Sequence, residues 1–174
     1  MKITKTNFQG VIKIQNKIYN DYRGYFLEIW NKKIEKIIKK KFVQENISFS
    51  KKINTFRGFH FQKKPFAQGK LIRVLSGEIL DIVLNINPNS KFFGKFIKIK
   101  LKKNDQLWIP PQYAHGFLTT KNNTLINYKV TRPYNFKKES GYSVLDTKLK
   151  IFTKKFIKKL ILSKKDRMLE FLYD

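Results

Sequence analysis

The sequence predicts an all-β domain, a sandwich or barrel of short strands with two helices set into it. Polar and apolar residues alternate over short segments, as in Lys98-Ile99-Lys100-Leu101-Lys102, so that one strand face is apolar and the other polar. Turn-forming residues separate such segments, as in Asn87-Pro88-Asn89-Ser90 and Lys102-Lys103-Asn104-Asp105. Many short strands at regular spacing, punctuated in this way, are the pattern of a sandwich or barrel.

In chain order, strands are expected at Gly10–Ile18, Gly24–Ile29, Phe42–Phe49, Thr55–Gln62, Lys70–Ser76, Glu78–Ile86, Phe93–Leu101, Asp105–Ile109, Tyr113–Thr119 and Thr124–Val130. Ser76-Gly77-Glu78 makes a tight connection between two of them. A helix is expected at Lys32–Lys40, where Ile34, Ile37 and Ile38 share a face. A second is expected at Ser163–Leu172, opening on an N-cap serine and burying Met168, Leu169 and Leu172. No internal repeat and no Gly/Ser/Pro linker interrupts the 174 residues, so one domain over residues 1–174 is expected.

Composition narrows the function classes. No stretch approaches the roughly 18 apolar residues of a membrane span. The opening Met1-Lys2-Ile3-Thr4-Lys5 lacks the apolar run of a signal peptide. Without cysteine there are no disulfides and no thiolate metal sites, which fits a cytoplasmic protein. The net charge of +26 is mostly Lys, spread from Lys2 to Lys165 among abundant Ile, Asn and Phe. That mixture fits surface drift under an AT-rich genome. Arg is scarce and no nucleic-acid-binding signature appears, so no specific nucleic-acid partner is expected.

The chain contains two histidines. His60 sits in Arg57-Gly58-Phe59-His60-Phe61-Gln62, and His115 in Pro110-Pro111-Gln112-Tyr113-Ala114-His115-Gly116-Phe117. Groups that exchange protons near neutral pH are therefore confined to two strand segments. A barrel metal site needs two or three imidazoles plus a carboxylate, and the same-face position after His60 is Gln62. No metal is expected. Gln44, Asn46 and Ser48 share one strand face, which is poor core material and suits a cavity wall or solvent. Lys70 opens an otherwise apolar strand, and Tyr128 lies near the end of another. Taken singly, each has a structural explanation: an edge lysine guards against edge pairing, and a strand tyrosine is commonly core or rim.

Together they form an ordered set. Asp21-x-Arg23-Gly24-x-Phe26-x-Glu28, Gln44-x-Asn46-x-Ser48, the Arg57–Gln62 segment, Gln68-Gly69-Lys70-Leu71, Gly77-Glu78, Phe93-Gly94, Leu107-Trp108-Ile109-Pro110, Ala114-His115-Gly116-Phe117, Tyr128-Lys129 and Leu162-Ser163-Lys164-Lys165-Asp166 occur in that order. From about residue 8 to 170 the chain resembles the dTDP-4-dehydrorhamnose 3,5-epimerase family. The resemblance implies a cupin-type double-stranded β-helix, a jelly-roll barrel with a few short helices including one at the C-terminus. It also implies catalysis without cofactor or metal, in the synthesis of dTDP-L-rhamnose. The implied partners are the dTDP-sugar substrate and a second subunit, in a homodimer whose nucleotide site is shared.

The resemblance also assigns roles. His60 is the base, Tyr128 the acid on the opposite face of the sugar, Asp166 the partner of His60, and Lys70 the cation near the C4 oxygen. Arg23 and Arg57 suit pyrophosphate oxygens. Glu28, Gln44, Glu45, Asn46, Gln62, His115, Glu139 and Lys165 align with substrate-binding positions, and Tyr134 with an aromatic that stacks on thymine. The chain departs from the family pattern at Val144-Leu145-Asp146, where the family reads Trp-Asn-Asp, at Phe59 in the histidine motif, and at Lys137-Lys138 before Glu139. Two rivals are left open: an epimerase of C3 alone or of another nucleotide-4-ketosugar, and a non-catalytic basic barrel that binds sugars or polyanions.

Overall fold

The alternating segments pair into two facing antiparallel sheets and a separate hairpin in the computed structural model, which describes residues 1–173. The strands are β1 (Lys2–Lys5), β2 (Ile12–Gln15), β3 (Ile18–Asp21), β4 (Gly24–Leu27), β5 (Gln44–Ser50), β6 (Phe56–Gln62), β7 (Lys70–Ser76), β8 (Glu78–Asn85), β9 (Phe96–Lys102), β10 (Asp105–Ile109), β11 (Tyr113–Thr119), β12 (Thr124–Val130) and β13 (Glu139–Gly141). The helices are α1 (Lys32–Ile38), α2 (Lys154–Ile157) and α3 (Lys164–Arg167). One sheet has the order β1-β2-β10-β7-β12-β5, the other β13-β6-β11-β8-β9, and β3 pairs with β4 alone. The expected jelly-roll barrel is the fold observed.

The main core lies between the sheets. Ile72 and Val74 of β7, Leu107 and Ile109 of β10 and Ile126 of β12 meet Ile79 and Val83 of β8 and Phe117 of β11. The outer face of the five-stranded sheet is also covered: Phe56, Phe59, Ile82, Leu84 and Leu118 pack against Val144, Leu149, Ile151 and Leu160. A third cluster sets Ile14, Leu71 and Trp108 under Ile34 of α1. Central strands are thus buried on both faces, and β11 is buried at every position. Any polar group on such a strand must find a partner inside.

Several expected boundaries are corrected. The single strand Gly10–Ile18 is two, because β2 pairs with β1 and β10 whereas β3 turns away to pair with β4. Phe42–Phe49 becomes Gln44–Ser50 and Phe93–Leu101 becomes Phe96–Lys102. The first helix stops at Ile38, where Lys39 adopts a left-handed φ of 54°. The strands β1 and β13, helix α2 and a 3-10 turn at Thr147–Leu149 were not expected. The largest correction is the helix expected at Ser163–Leu172. Ser163 does cap α3, but helical structure ends at Arg167. Beyond it Glu170 forms a parallel bridge with Tyr142, and its carbonyl accepts from Ser143 N at 2.8 Å. Asp146 then accepts from the backbone N–H groups of Leu172 and Tyr173. These partners outcompete further helical turns, and Met168 is 83% exposed instead of buried.

Candidate active site

A bulge in β6 builds the chemical face of the barrel. His115 pairs with His60 and Phe117 with Arg57, so β6 holds one residue more than β11 over the same stretch. In a regular strand Arg57 and His60, three positions apart, would face opposite sides. With the extra residue both line one cavity of about 340 Å³ between the sheets. Gly58 makes the bulge possible. Its φ is +119°, and a Cβ there would run into the carbonyl of His115 and Cα of Gly116.

His60 Nε2 lies 2.6 Å from Asp166 Oδ1. Asp166 is brought there by α3, whose cap Ser163 accepts from Asp166 N at 3.0 Å. The carboxylate side chain is 4% exposed and that of the imidazole 28%, so the pair is anchored inside and open to the cavity at the ring. Tyr128 and Lys70 line the same cavity from β12 and β7, which belong to the opposite sheet. Burial raises the Tyr128 phenol above its ordinary value, with Arg57 opposing and Glu139 adding to it. Lys70 Nζ donates to the His60 carbonyl at 3.2 Å. Burial pulls the Lys70 ammonium down to about 8, while Asp81 and Glu139 act the other way.

The rim is a second network. Tyr134 donates its hydroxyl to Glu139 at 2.5 Å, and Lys165 reaches the same carboxylate oxygen at 2.5 Å. Burial raises the Glu139 carboxyl, but Lys165 and Tyr134 outweigh it and hold the group below the usual range. Gln62 anchors this rim: its amide donates to Phe66 and Pro133 carbonyls and accepts from Asn135 N. Arg57 is held by Ser50 Oγ at 3.1 Å and the Phe49 carbonyl at 2.9 Å. His115 is buried, with Nε2 2.8 Å from Asp81 Oδ2.

The cavity therefore gathers His60, Tyr128, Asp166, Lys70, Arg57, Gln62, His115, Tyr134, Glu139 and Lys165. It does not gather the others. Arg23 sits in the exposed β3–β4 turn, paired with Asp21 at 2.7 Å. Glu28 accepts from Asn31 Nδ2 beside a different cavity. Glu45 projects from the outer face of β5 to Lys129 at 2.7 Å. Gln44 and Asn46 bond to each other at 2.8 Å, and Gln44 accepts from Tyr134 N at the rim. Their neighbour Ser48 does line the cavity, as do Gln68, Phe61, Ile72, Phe117, Ile126 and Ser163. Asp81 was missed by sequence reasoning. Its signal was a lone carboxylate inside Ile79-Leu80-Asp81-Ile82-Val83-Leu84, since a buried charge requires a partner.

No group of three or more His, Cys, Asp or Glu converges as a metal site among the described residues. Nor is any helix among them long and apolar enough to cross a membrane. An imidazole, a buried carboxylate, a phenol and an ammonium around one cavity can take a proton from one side of a ligand and return it from the other.

The sequence profile of the dTDP-4-dehydrorhamnose 3,5-epimerase family matches residues 5–174. A protein of that name from Methanothermobacter thermautotrophicus is 37% identical over 172 residues, covering 95% of this chain and 91% of that one. The chain is also similar to the crystal structure of dTDP-4-dehydrorhamnose 3,5-epimerase from Bacillus anthracis with TDP and pyrophosphate bound. The TM-score is 0.89 at 36% identity, with 98% of both chains covered. A Legionella pneumophila epimerase in complex with dTDP-4-keto-L-rhamnose superposes with a TM-score of 0.88 at 34% identity, covering 98% of this chain and 92% of that one.

Proposed function

This chain belongs to the dTDP-4-dehydrorhamnose 3,5-epimerase family, and we propose that it inverts C3 and C5 of dTDP-4-dehydro-6-deoxy-D-glucose, yielding dTDP-4-dehydro-L-rhamnose. The observation that carries this reading is the His60–Asp166 pair at 2.6 Å facing a cavity whose opposite wall holds Tyr128 and Lys70.

The C4 ketone makes the hydrogens on C3 and C5 acidic, because the carbanion is delocalised as an enolate. The His60 nitrogen not bonded to Asp166 takes the proton. Asp166 stabilises the imidazolium that results. Negative charge then grows on the C4 oxygen, where the Lys70 ammonium stabilises it more strongly than it does the ketone. Tyr128 returns a proton to the other face of the carbon. Inversion needs acid and base on opposite sides, which is what two facing sheets supply. Arg57 and Lys165 suit the diphosphate, His115 the sugar, and Tyr134, held by Glu139, the thymine ring.

Arg23 and Glu28 belong to the same reading through a second copy of the chain. The β3–β4 hairpin exposes Tyr22 and Phe26 at 98% and 69%, and the outer face of edge strand β5 exposes Ile47 and Phe49, with Val43 exposed just before the strand. Exposed apolar surface on this scale favours burial against a partner. The enzyme is then a cytoplasmic homodimer of single cupin-type domains spanning residues 1–174, with each nucleotide site completed by its neighbour. No metal or cofactor takes part.

The test is NMR of the purified protein with dTDP-4-dehydro-6-deoxyglucose in deuterated water. Deuterium should enter both C3 and C5. Label at C3 alone would make it a single-site epimerase, and no label with tight polyanion binding would favour the non-catalytic barrel.

A further inference from the structure

The reading above gives Asp81 no part, yet its position is unusual. It lies on β8 between Ile79 and Val83, both in the core between the sheets, and is 0% exposed. A carboxylate enclosed this way costs several kcal/mol unless its charge is used. In the β8–β11 register Asp81 is opposite Phe117 and His115 opposite Val83, so the two are diagonal neighbours on the inner face. Asp81 Oδ2 meets His115 Nε2 at 2.8 Å, and Oδ1 makes no hydrogen bond among the described residues. The arrangement parallels His60–Asp166 one strand away, since His60 and His115 are themselves cross-strand partners.

We propose that Asp81 is a positioning residue of this site: it fixes the His115 ring with the Nε2 proton on its carboxylate, and it places a negative charge across the barrel from Lys70. The proposal rests on the epimerase reading and adds to it. An imidazole whose Nε2–H is committed to a carboxylate has one defined tautomer when neutral, so His115 meets the sugar with Nδ1 as its remaining polar atom. Without Asp81 the ring is free to exchange tautomers and turn.

Lys70 supplies the second half of the argument. The charged and titratable groups that line the cavity with it are Arg57 and His60 from β6, His115 from β11, Tyr128 from β12, Tyr134 from the loop after β12, Glu139 from β13, and Lys165 with Asp166 from α3. Against burial, which pulls the ammonium down to about 8, the charges that support it are Asp81 and Glu139. Glu139 is already tied to Lys165 and Tyr134 at the rim. Asp81 is enclosed, so its field is screened less. A catalytic cation that must stay protonated at neutral pH needs such a counter-charge.

The experiment uses the full chain labelled with ¹⁵N-histidine and ¹⁵N-lysine, with Asp81→Asn as the variant. In the wild type, His115 should carry its proton on Nε2. In Asp81→Asn the Lys70 ammonium should titrate about one pH unit lower, the scale of losing one nearby opposite charge. The alkaline limb of kcat/KM should move down with it, and kcat should fall roughly 10- to 100-fold with a smaller change in KM. A purely structural Asp81 would lower Tm and leave both the Lys70 titration and the limb in place, which overturns the proposal. If the variant does not fold, the wild-type spectrum decides: a His115 protonated on Nδ1 with Nε2 bare refutes it. A wild type inert toward the dTDP-sugar refutes the epimerase reading instead, while the nitrogen spectra still decide the pairing and charge coupling of Asp81.

Discussion

At the scale of single residues, the reading rests on how each proton is held. His60 has one ring nitrogen on Asp166 and stands partly open to the cavity. His60→Ala should lower kcat by roughly 10²–10⁴-fold, the usual cost of a lost general base. Asp166→Asn should also impair turnover, because an amide does not stabilise an imidazolium. Near-full activity in His60→Ala, measured by deuterium exchange at C3 and C5, would exclude the mechanism. Lys70 sets a pH limit. Burial pulls its ammonium down to about 8, so it is charged below that pH and loses the charge as pH rises through it. The enolate-stabilising effect, and with it kcat/KM, should therefore decline above about pH 8. The same decline should be missing from the residual activity of Lys70→Met.

At the scale of elements, the β6 bulge decides which side chains reach the cavity. Gly58→Ala tests it. An added Cβ meets the backbone of His115 and Gly116, and φ of +119° is a region that L residues rarely adopt. Relieving that clash would remove the extra residue or push β6 from β11, turning His60 or Arg57 away. Activity should fall at least as far as in His60→Ala, with a loss of stability of roughly 1–3 kcal/mol, the scale of enforced backbone strain. Circular dichroism and thermal melting on the same preparation separate a displaced site from an unfolded chain. A Gly58→Ala protein with wild-type turnover would show that the bulge is dispensable. The C-terminal segment is the other element the site depends on. The backbone bonds that draw residues 168–173 off the helical path also anchor α3, and with it Asp166 and Lys165.

At the scale of the whole molecule, the proposed shared site has a direct test. If Arg23 of one subunit serves the His60 cavity of its neighbour, Arg23→Ala and His60→Ala subunits should complement. In a statistical mixture half of the dimers are mixed, and each mixed dimer keeps one intact site. Roughly a quarter of wild-type kcat/KM should return on subunit exchange, by the pairing rules of a two-fold dimer. No recovery would place Arg23 outside the site. The charge of +26 belongs to this scale too. Of the cavity's cations, Lys165 is paired with Glu139, Lys70 lies inside the barrel, and Arg57 is held by Ser50 Oγ and the Phe49 carbonyl. Retention of the protein on nucleic acid should accordingly be weak and vanish steeply with added salt.

The local features were legible in the residues themselves. Period-two alternation marks Lys98–Lys102, the turn residues mark the connections, and two histidines in a chain of 174 limit where proton chemistry can occur. These signals are short-range, since a strand's pleat and a turn's dihedrals depend on neighbours in sequence. Tertiary structure decided the rest. Asp166 meets His60 across 106 positions, which the residues alone did not indicate and only the family resemblance did. The bulge that turns Arg57 and His60 to one side follows from β6 pairing with β11, a contact between distant segments. Asp81 is one polar residue in an apolar run of sequence, and only the register sets it beside His115. The sequence from Ser163 to Leu172 is compatible with a helix, yet its backbone found partners at Tyr142, Ser143 and Asp146. A local pattern states what a segment prefers; hydrogen bonds and burial supplied from far along the chain determine which preference is met.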